Sequence, residues 1–136
     1  MGATSSVYEV LLHGSSQMVA AAKVPTPPHS VSSEKQVLLA LQAGGCPGIP
    51  ELLGELDGGQ GLLLQPVGAP LDVDVLTKHP RLFEVVGQLV DTLEAAHRLG
   101  WLHCDIRADN LLAKEVPACK LFIVDWCVAR RASTTS

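Results

Sequence analysis

At 136 residues, 47% of them hydrophobic and 18% charged, the chain carries enough apolar material for one core in a single domain. Its net charge of −4 argues against nonspecific nucleic-acid binding, which needs a basic surface. No apolar run reaches the length of a membrane helix and no charged-then-apolar signal segment opens the chain, so a cytoplasmic, intracellular location is expected; Cys46, Cys104, Cys119 and Cys127 form no C-x-x-C pair and are expected as free thiols.

The opening Met1-Gly2-Ala3-Thr4-Ser5-Ser6 fits the N-myristoylation pattern, with Gly2 freed by methionine removal and Ser6 at the sixth position. One acyl chain without a basic cluster would hold a membrane only weakly. Val7 to Leu12 reads as a strand, and so does Met18 to Lys23. The cluster Pro25-Thr26-Pro27-Pro28 separates this second strand from a helix opened by an S-x-x-Q capping box, Ser33 to Gln36, and running through Leu41. Read singly, Lys23 is a lysine snorkelling at a strand end and Glu34 an acid favoured by the helix dipole.

Gly44 to Pro50 should end that helix, after which Glu51–Leu56 and Gly61–Pro66 read as a hairpin turning through Asp57 to Gln60. Val67-Gly68-Ala69-Pro70 leads out of it. The helical signal is strongest from Arg81 to Leu99, where Leu82, Val86, Leu89, Leu93 and Ala96 form the expected buried stripe and Phe83, Val90 and His97 flank it. Gly100 ends the helix as its C′ residue. His97 is expected to pack at the helix end, and His13, His29 and His79 sit in loops without ligand spacing. Next come His103-Cys104-Asp105-Ile106-Arg107-Ala108-Asp109-Asn110 and the apolar run Leu121-Phe122-Ile123-Val124, which ends at Asp125-Trp126-Cys127. The remaining Arg130 to Ser136 is polar and expected to be disordered. No internal repeat or low-complexity linker divides the chain.

The H-x-D-x-x-x-x-N pattern of His103 to Asn110, followed by an aspartate at the end of an apolar strand, resembles the catalytic loop and D-F-G-type aspartate of the protein-kinase-like superfamily. Met18-Val19-Ala20-Ala21-Ala22-Lys23 resembles that family's V-A-I-K strand, and a glutamate-bearing helix follows it. The resemblance implies ATP and Mg²⁺ as ligands. Lys23 would contact the α- and β-phosphates, Glu34 would orient Lys23, and Asp105 would act as base on an acceptor hydroxyl. Asn110 and Asp125 would offer Mg²⁺ a neutral and a charged oxygen, and Arg107 would meet a phosphate, its guanidinium staying charged. Gly2, Ser5 and Val7 fall where a phosphate-covering loop ends. Ala21 lines the adenine pocket by the same resemblance, and Gln65 to Gly68, with Val67 among them, form the hinge at the adenine edge. Phosphoryl transfer asks for this kind of constellation because it is catalysed mainly by positioning and charge.

The departures from the pattern bear equally on function. Cys104 replaces the usual arginine beside the catalytic aspartate, Cys127 replaces a glycine, and neither an activation segment nor an A-P-E motif follows. The expected architecture is therefore α+β: a kinase-like antiparallel sheet with its helix over 1–66, then a hinge, one long helix and the catalytic-loop hairpin over 67–129, with the helical lobe truncated. The expected function is an ATP-dependent phosphotransferase to a Ser/Thr-type hydroxyl, weak or inactive as an isolated chain. Two other readings remain open: a pseudokinase that binds a partner, and a small-molecule phosphotransferase of the aminoglycoside or choline kinase type, suggested by Ile123-Val124-Asp125-Trp126. The uncovered helix from Leu82 to Ala96 would then serve self-association or docking to a protein partner.

Overall fold

The computed structural model describes residues 5–11, 19–25, 32–56, 60–67, 69–78, 80–114, 120–126 and 129–131. Gly2, Gly68, Cys119, Cys127, the three loop histidines and residues 132–136 lie outside this set.

Alternating small and branched residues give two antiparallel strands, β1 (Ser5–Leu11) and β2 (Val19–Pro25), with Val7 opposite Lys23 and Glu9 opposite Ala21. The expected hairpin forms as β3 (Glu51–Leu56) and β4 (Gly61–Gln65), and β4 inserts beside β2, so the sheet runs β1-β2-β4-β3. Lys23 stands opposite Leu62, and Ala21 opposite Leu64. Side chains alternate between faces along a strand, so Val7, Ala21, Lys23, Leu62 and Leu64 share one face of the sheet.

Helix α1 (Ser32–Ala43) packs there, burying Val37, Leu38 and Leu41 with Leu62 and Leu64. The helix already includes Ser32, so Ser33 lies in its first turn and does not act as the cap that the S-x-x-Q spacing suggests. Adjacent serines are equivalent to a spacing argument, and backbone hydrogen bonding decides between them. Its end follows the expected stop: Gly45 takes φ +72°, Cys46 N–H donates to Leu41 O (3.0 Å) and Gly45 N–H to Gln42 O (3.1 Å). That is the Schellman pattern, which leaves Cys46 tucked into the core.

Beyond the sheet, β5 (Ala69–Pro70) and the short α2 (Val73–Thr77), capped by the Asp72 carboxylate, lead into α3 (Leu82–Arg98). Gly100 closes α3 at φ +89°, as expected. Of the expected stripe Ala96 is buried and Leu89 and Leu93 pack against the core, but Val86 is exposed; Val85 and Thr92 are buried beside them, and the flanking Phe83 and Val90 stand in solvent. Apolar residues lie on both sides of this helix, and packing against β8 and β6 selects the side that is buried. His97 is exposed, contrary to the packing role expected of it, because the helix end turns it away from the core.

The remaining strands are short. β6 (Trp101–Leu102) precedes the catalytic-loop sequence, a 3₁₀ turn (Ala108–Asn110) leads into β7 (Leu111–Lys114), and β8 (Lys120–Ile123) returns antiparallel to it; β5, β7 and β8 form one sheet. Arg130–Arg131 form β9 against β6, so the tail expected to be disordered is ordered through Arg131. The pairing rests on a contact invisible to composition: the Arg131 guanidinium lies 5.1 Å from the centre of the Trp101 ring. No described helix is long and apolar enough to cross a membrane.

Candidate functional site

Lys23 reaches across from β2 to α1 and to the end of β8. Its Nζ lies 2.7 Å from Glu34 Oε1 and 3.1 Å from Asp125 Oδ1, so one ammonium holds two carboxylates. Burial alone would lower the lysine pKa, but the charges of Glu34 and Asp125 and their hydrogen bonds outweigh it and raise it above its ordinary value. The side chains of Lys23 and Glu34 are 7% and 1% exposed while that of Asp125 is 29% exposed, so Glu34 is committed to Lys23 and Asp125 is open to solvent. No hydrogen-bond donor other than Lys23 reaches the Glu34 carboxylate among the described residues.

Asp105 and Asn110 are joined inside their own loop. Asn110 Nδ2 donates to Asp105 O (2.9 Å) and Oδ2 (3.2 Å), which spends the amide's donors and leaves its oxygen for another partner. Val124 N–H donates to Asn110 O at 2.9 Å, tying this loop to the strand end that presents Asp125. Arg107 is exposed, with Nε 3.6 Å from Asp105 Oδ1. Among the described residues two non-glycine residues take left-handed backbone, Cys104 at φ +72° and Asp125 at φ +63°. Such strain persists only where the surroundings over-determine it, and it tends to mark sites.

The surroundings here are His103 and Trp126, to which sequence reasoning assigned no role. His103 is buried; its Nδ1 accepts from Asp105 N–H (3.1 Å) and its Nε2 sits 2.8 Å from Val124 O. Both bonds together require the neutral ring with its proton on Nε2. Trp126, fully buried, meets the His103 ring edge-on at 4.5 Å and donates from Nε1 to Ile123 O (2.8 Å). The imidazole thus clamps the Asp105 loop to the Asp125 loop from behind. Their signals were the place of His103 two residues before Asp105, as the first residue of the H-x-D pattern, and of Trp126 directly after Asp125.

Among the other expected contacts, Val7 is exposed on β1 opposite Lys23 and Ala21 half-exposed beside Leu64. Gln65 and Val67 are half-buried where β4 leaves the sheet. Ser5 begins β1 opposite Pro25, and Gly2 is outside the described residues. Cys46 is buried, which pushes its thiol pKa up, while Cys104 is an exposed free thiol.

The donor set suits a hard cation. Asp125 and Asn110 offer a carboxylate and an amide oxygen, and Mg²⁺ characteristically takes one or two protein oxygens and fills its octahedron with water and phosphate. No group of three or more His, Cys, Asp or Glu residues gathers among the described residues, so the site offers two ligands and not a full protein cage.

No protein-family model matches the sequence, and no curated protein matches it. Solved structures do. The chain superposes on the Cydia pomonella granulovirus kinase PK-1 with a TM-score of 0.73 at 23% identity, over 96% of this chain and 52% of that kinase. The fold is therefore protein-kinase-like, and the chain spans about half the length of that kinase.

Proposed function

We propose that the cleft is a Mg²⁺-ATP site of the protein-kinase type. The observation that carries this reading is the convergence of Lys23, Glu34 and Asp125 from β2, α1 and the end of β8, beside the hydrogen-bonded pair Asp105 and Asn110. Lys23, held forward by Glu34, would take the α- and β-phosphates. Asn110 and Asp125 would hold the cation, which would neutralise phosphate charge. Asp105 would accept the proton of an acceptor hydroxyl, oriented by its bond from Asn110, and Arg107 would meet phosphate at the rim. The backbone leaving β4 at Gln65 and Val67 would border the base, with Val7 and Ala21 covering it.

A second reading, a binding module without turnover, is favoured by Cys104 standing in the place of the family's arginine and by the contact between Lys23 and Asp125, which occupies both groups. Titration with ATP, with and without Mg²⁺, separates the two. A ligand that binds only the folded state raises stability as RT ln(1 + [L]/Kd). The proposal expects a Mg²⁺-dependent rise in melting temperature that Asp125→Ala removes. No shift at millimolar nucleotide, or an equal shift in Asp125→Ala, overturns it.

A further inference from the structure

Lys23 is shared between two carboxylates, and the two contacts differ in kind. Its Nζ lies 2.7 Å from Glu34 Oε1 and 3.1 Å from Asp125 Oδ1. Glu34 is buried with no other donor among the described residues, so that contact is fixed by the cost of leaving a charge unpaired in the interior. Asp125 is partly open to solvent and can trade the ammonium for another cation without that cost. The trade bears on binding because Asp125 is the charged ligand that the proposed site offers to Mg²⁺. An ammonium and a divalent cation on one carboxylate repel each other, and Asn110, the other candidate ligand, is neutral and does not offset the repulsion. Polyphosphate removes the conflict, since it gives Lys23 anionic oxygens of its own and adds negative charge that both cations share.

We propose, resting on the Mg²⁺-ATP reading of this site, that the contact between Lys23 and Asp125 is a latch that makes cation binding depend on polyphosphate. Lys23 holds Asp125 against a metal arriving alone and releases it when phosphate engages the ammonium. Glu34 keeps Lys23 in place in both states. Metal and polyphosphate then favour each other's binding through Lys23, and by linkage equally in both directions. Without the latch, Asp125 and Asn110 would take a divalent cation on their own and Lys23 would be indifferent to it.

The test uses Mn²⁺ as a paramagnetic probe on the full chain, alone and with tripolyphosphate at equal free Mn²⁺. Trp126 directly follows Asp125, so the readout is broadening of its indole N–H resonance, told apart from that of Trp101 by Trp126→Phe. Mn²⁺ alone should leave the resonance sharp up to millimolar concentration, and Mn²⁺ with tripolyphosphate should broaden it. Lys23→Met combined with Glu34→Gln strands neither charge, and by electron paramagnetic resonance it should bind Mn²⁺ alone about tenfold more tightly than the wild type, a gain that a further Asp125→Ala removes. Arg107→Gln takes away an exposed guanidinium that lies against Asp105 instead, and should gain less than about twofold because exposed charges are screened. Equal broadening with and without tripolyphosphate, or equal Mn²⁺ affinity in the wild type and the double variant, overturns the latch. The melting-temperature shift with Mg²⁺-ATP separates the two levels: a wild type that keeps it while failing these tests loses the latch alone, and one that lacks it loses the reading of the site together with the latch.

Discussion

Lys23 holds two carboxylates with unequal consequences. Glu34 is buried and has no other donor among the described residues, so removing the ammonium strands a charge in the interior, whereas Asp125 is partly open to solvent. Lys23→Met is therefore expected to cost about 3–5 kcal/mol in urea unfolding, the usual penalty for breaking a buried pair from one side. The same pair sets an alkaline limit. The folded pKa of Lys23 is raised above its ordinary 10.5, so its stabilisation is complete below pH 10.5 and fades as pH climbs through the folded value. Cys46 acts in the same direction earlier: burial raises its thiol above the ordinary 9.0, and the unfolded chain gains by ionising first. Stability measured against pH should begin to fall near 9.0 and fall further beyond 10.5; Cys46→Ala should flatten the first part and Lys23→Met the second. A curve unchanged in both variants would contradict these assignments.

The elements meet at two points where a single side chain, or its absence, sets their distance. At Gly48, φ is +67° and an added Cβ would run into Thr92 Oγ1 of α3 and lie 3.3 Å from Leu121 O of β8, while Gly48 O accepts from Ile123 N–H at 2.8 Å. Gly48→Ala should therefore lose about 1–3 kcal/mol, with denaturant midpoints as the measure. Trp126 joins β8 to the catalytic loop through its bond to Ile123 O and its edge contact with His103. Trp126→Ala should cost about 3–5 kcal/mol by leaving a cavity. Trp126→Phe keeps the ring contact but leaves a buried carbonyl unpaired, at about 1–3 kcal/mol. If the His103 clamp positions Asp125, the phenylalanine variant should also lose part of its Mg²⁺-dependent nucleotide shift; an intact shift would make the tryptophan purely structural. The buried side of α3 belongs to this scale too, since Val86 and Val85 are equally apolar and packing against β8 and β6 distinguishes the sides they occupy.

For the molecule as a whole, a kinase-like cleft and an efficient kinase are separate matters. Catalysis by positioning suffers on the order of a hundredfold from a displacement of about 1 Å, and Cys104 stands beside Asp105 where the resemblance expects arginine. Transfer to generic protein substrates in a radiolabelled assay is expected to stay near the level of the Asp105→Asn variant; robust transfer that this variant abolishes would establish a self-sufficient catalyst. Much of this was legible beforehand. The order of the main strands and helices, the stop in Gly44 to Pro50 and the stop at Gly100 follow from local patterns, because turn dihedrals and side-chain alternation are properties of neighbouring residues, while Lys23, Glu34, Asp105, Asn110 and Asp125 became candidates through the resemblance of their motifs to a family. Other features were written nowhere locally. That Lys23 bridges Glu34 and Asp125 together, that His103 and Trp126 lock two loops, that Arg131 stacks on Trp101, and which side of α3 is buried all join residues far apart in the chain. Such contacts exist only once the sheet and helices pack, since close packing selects among local patterns that composition leaves equivalent.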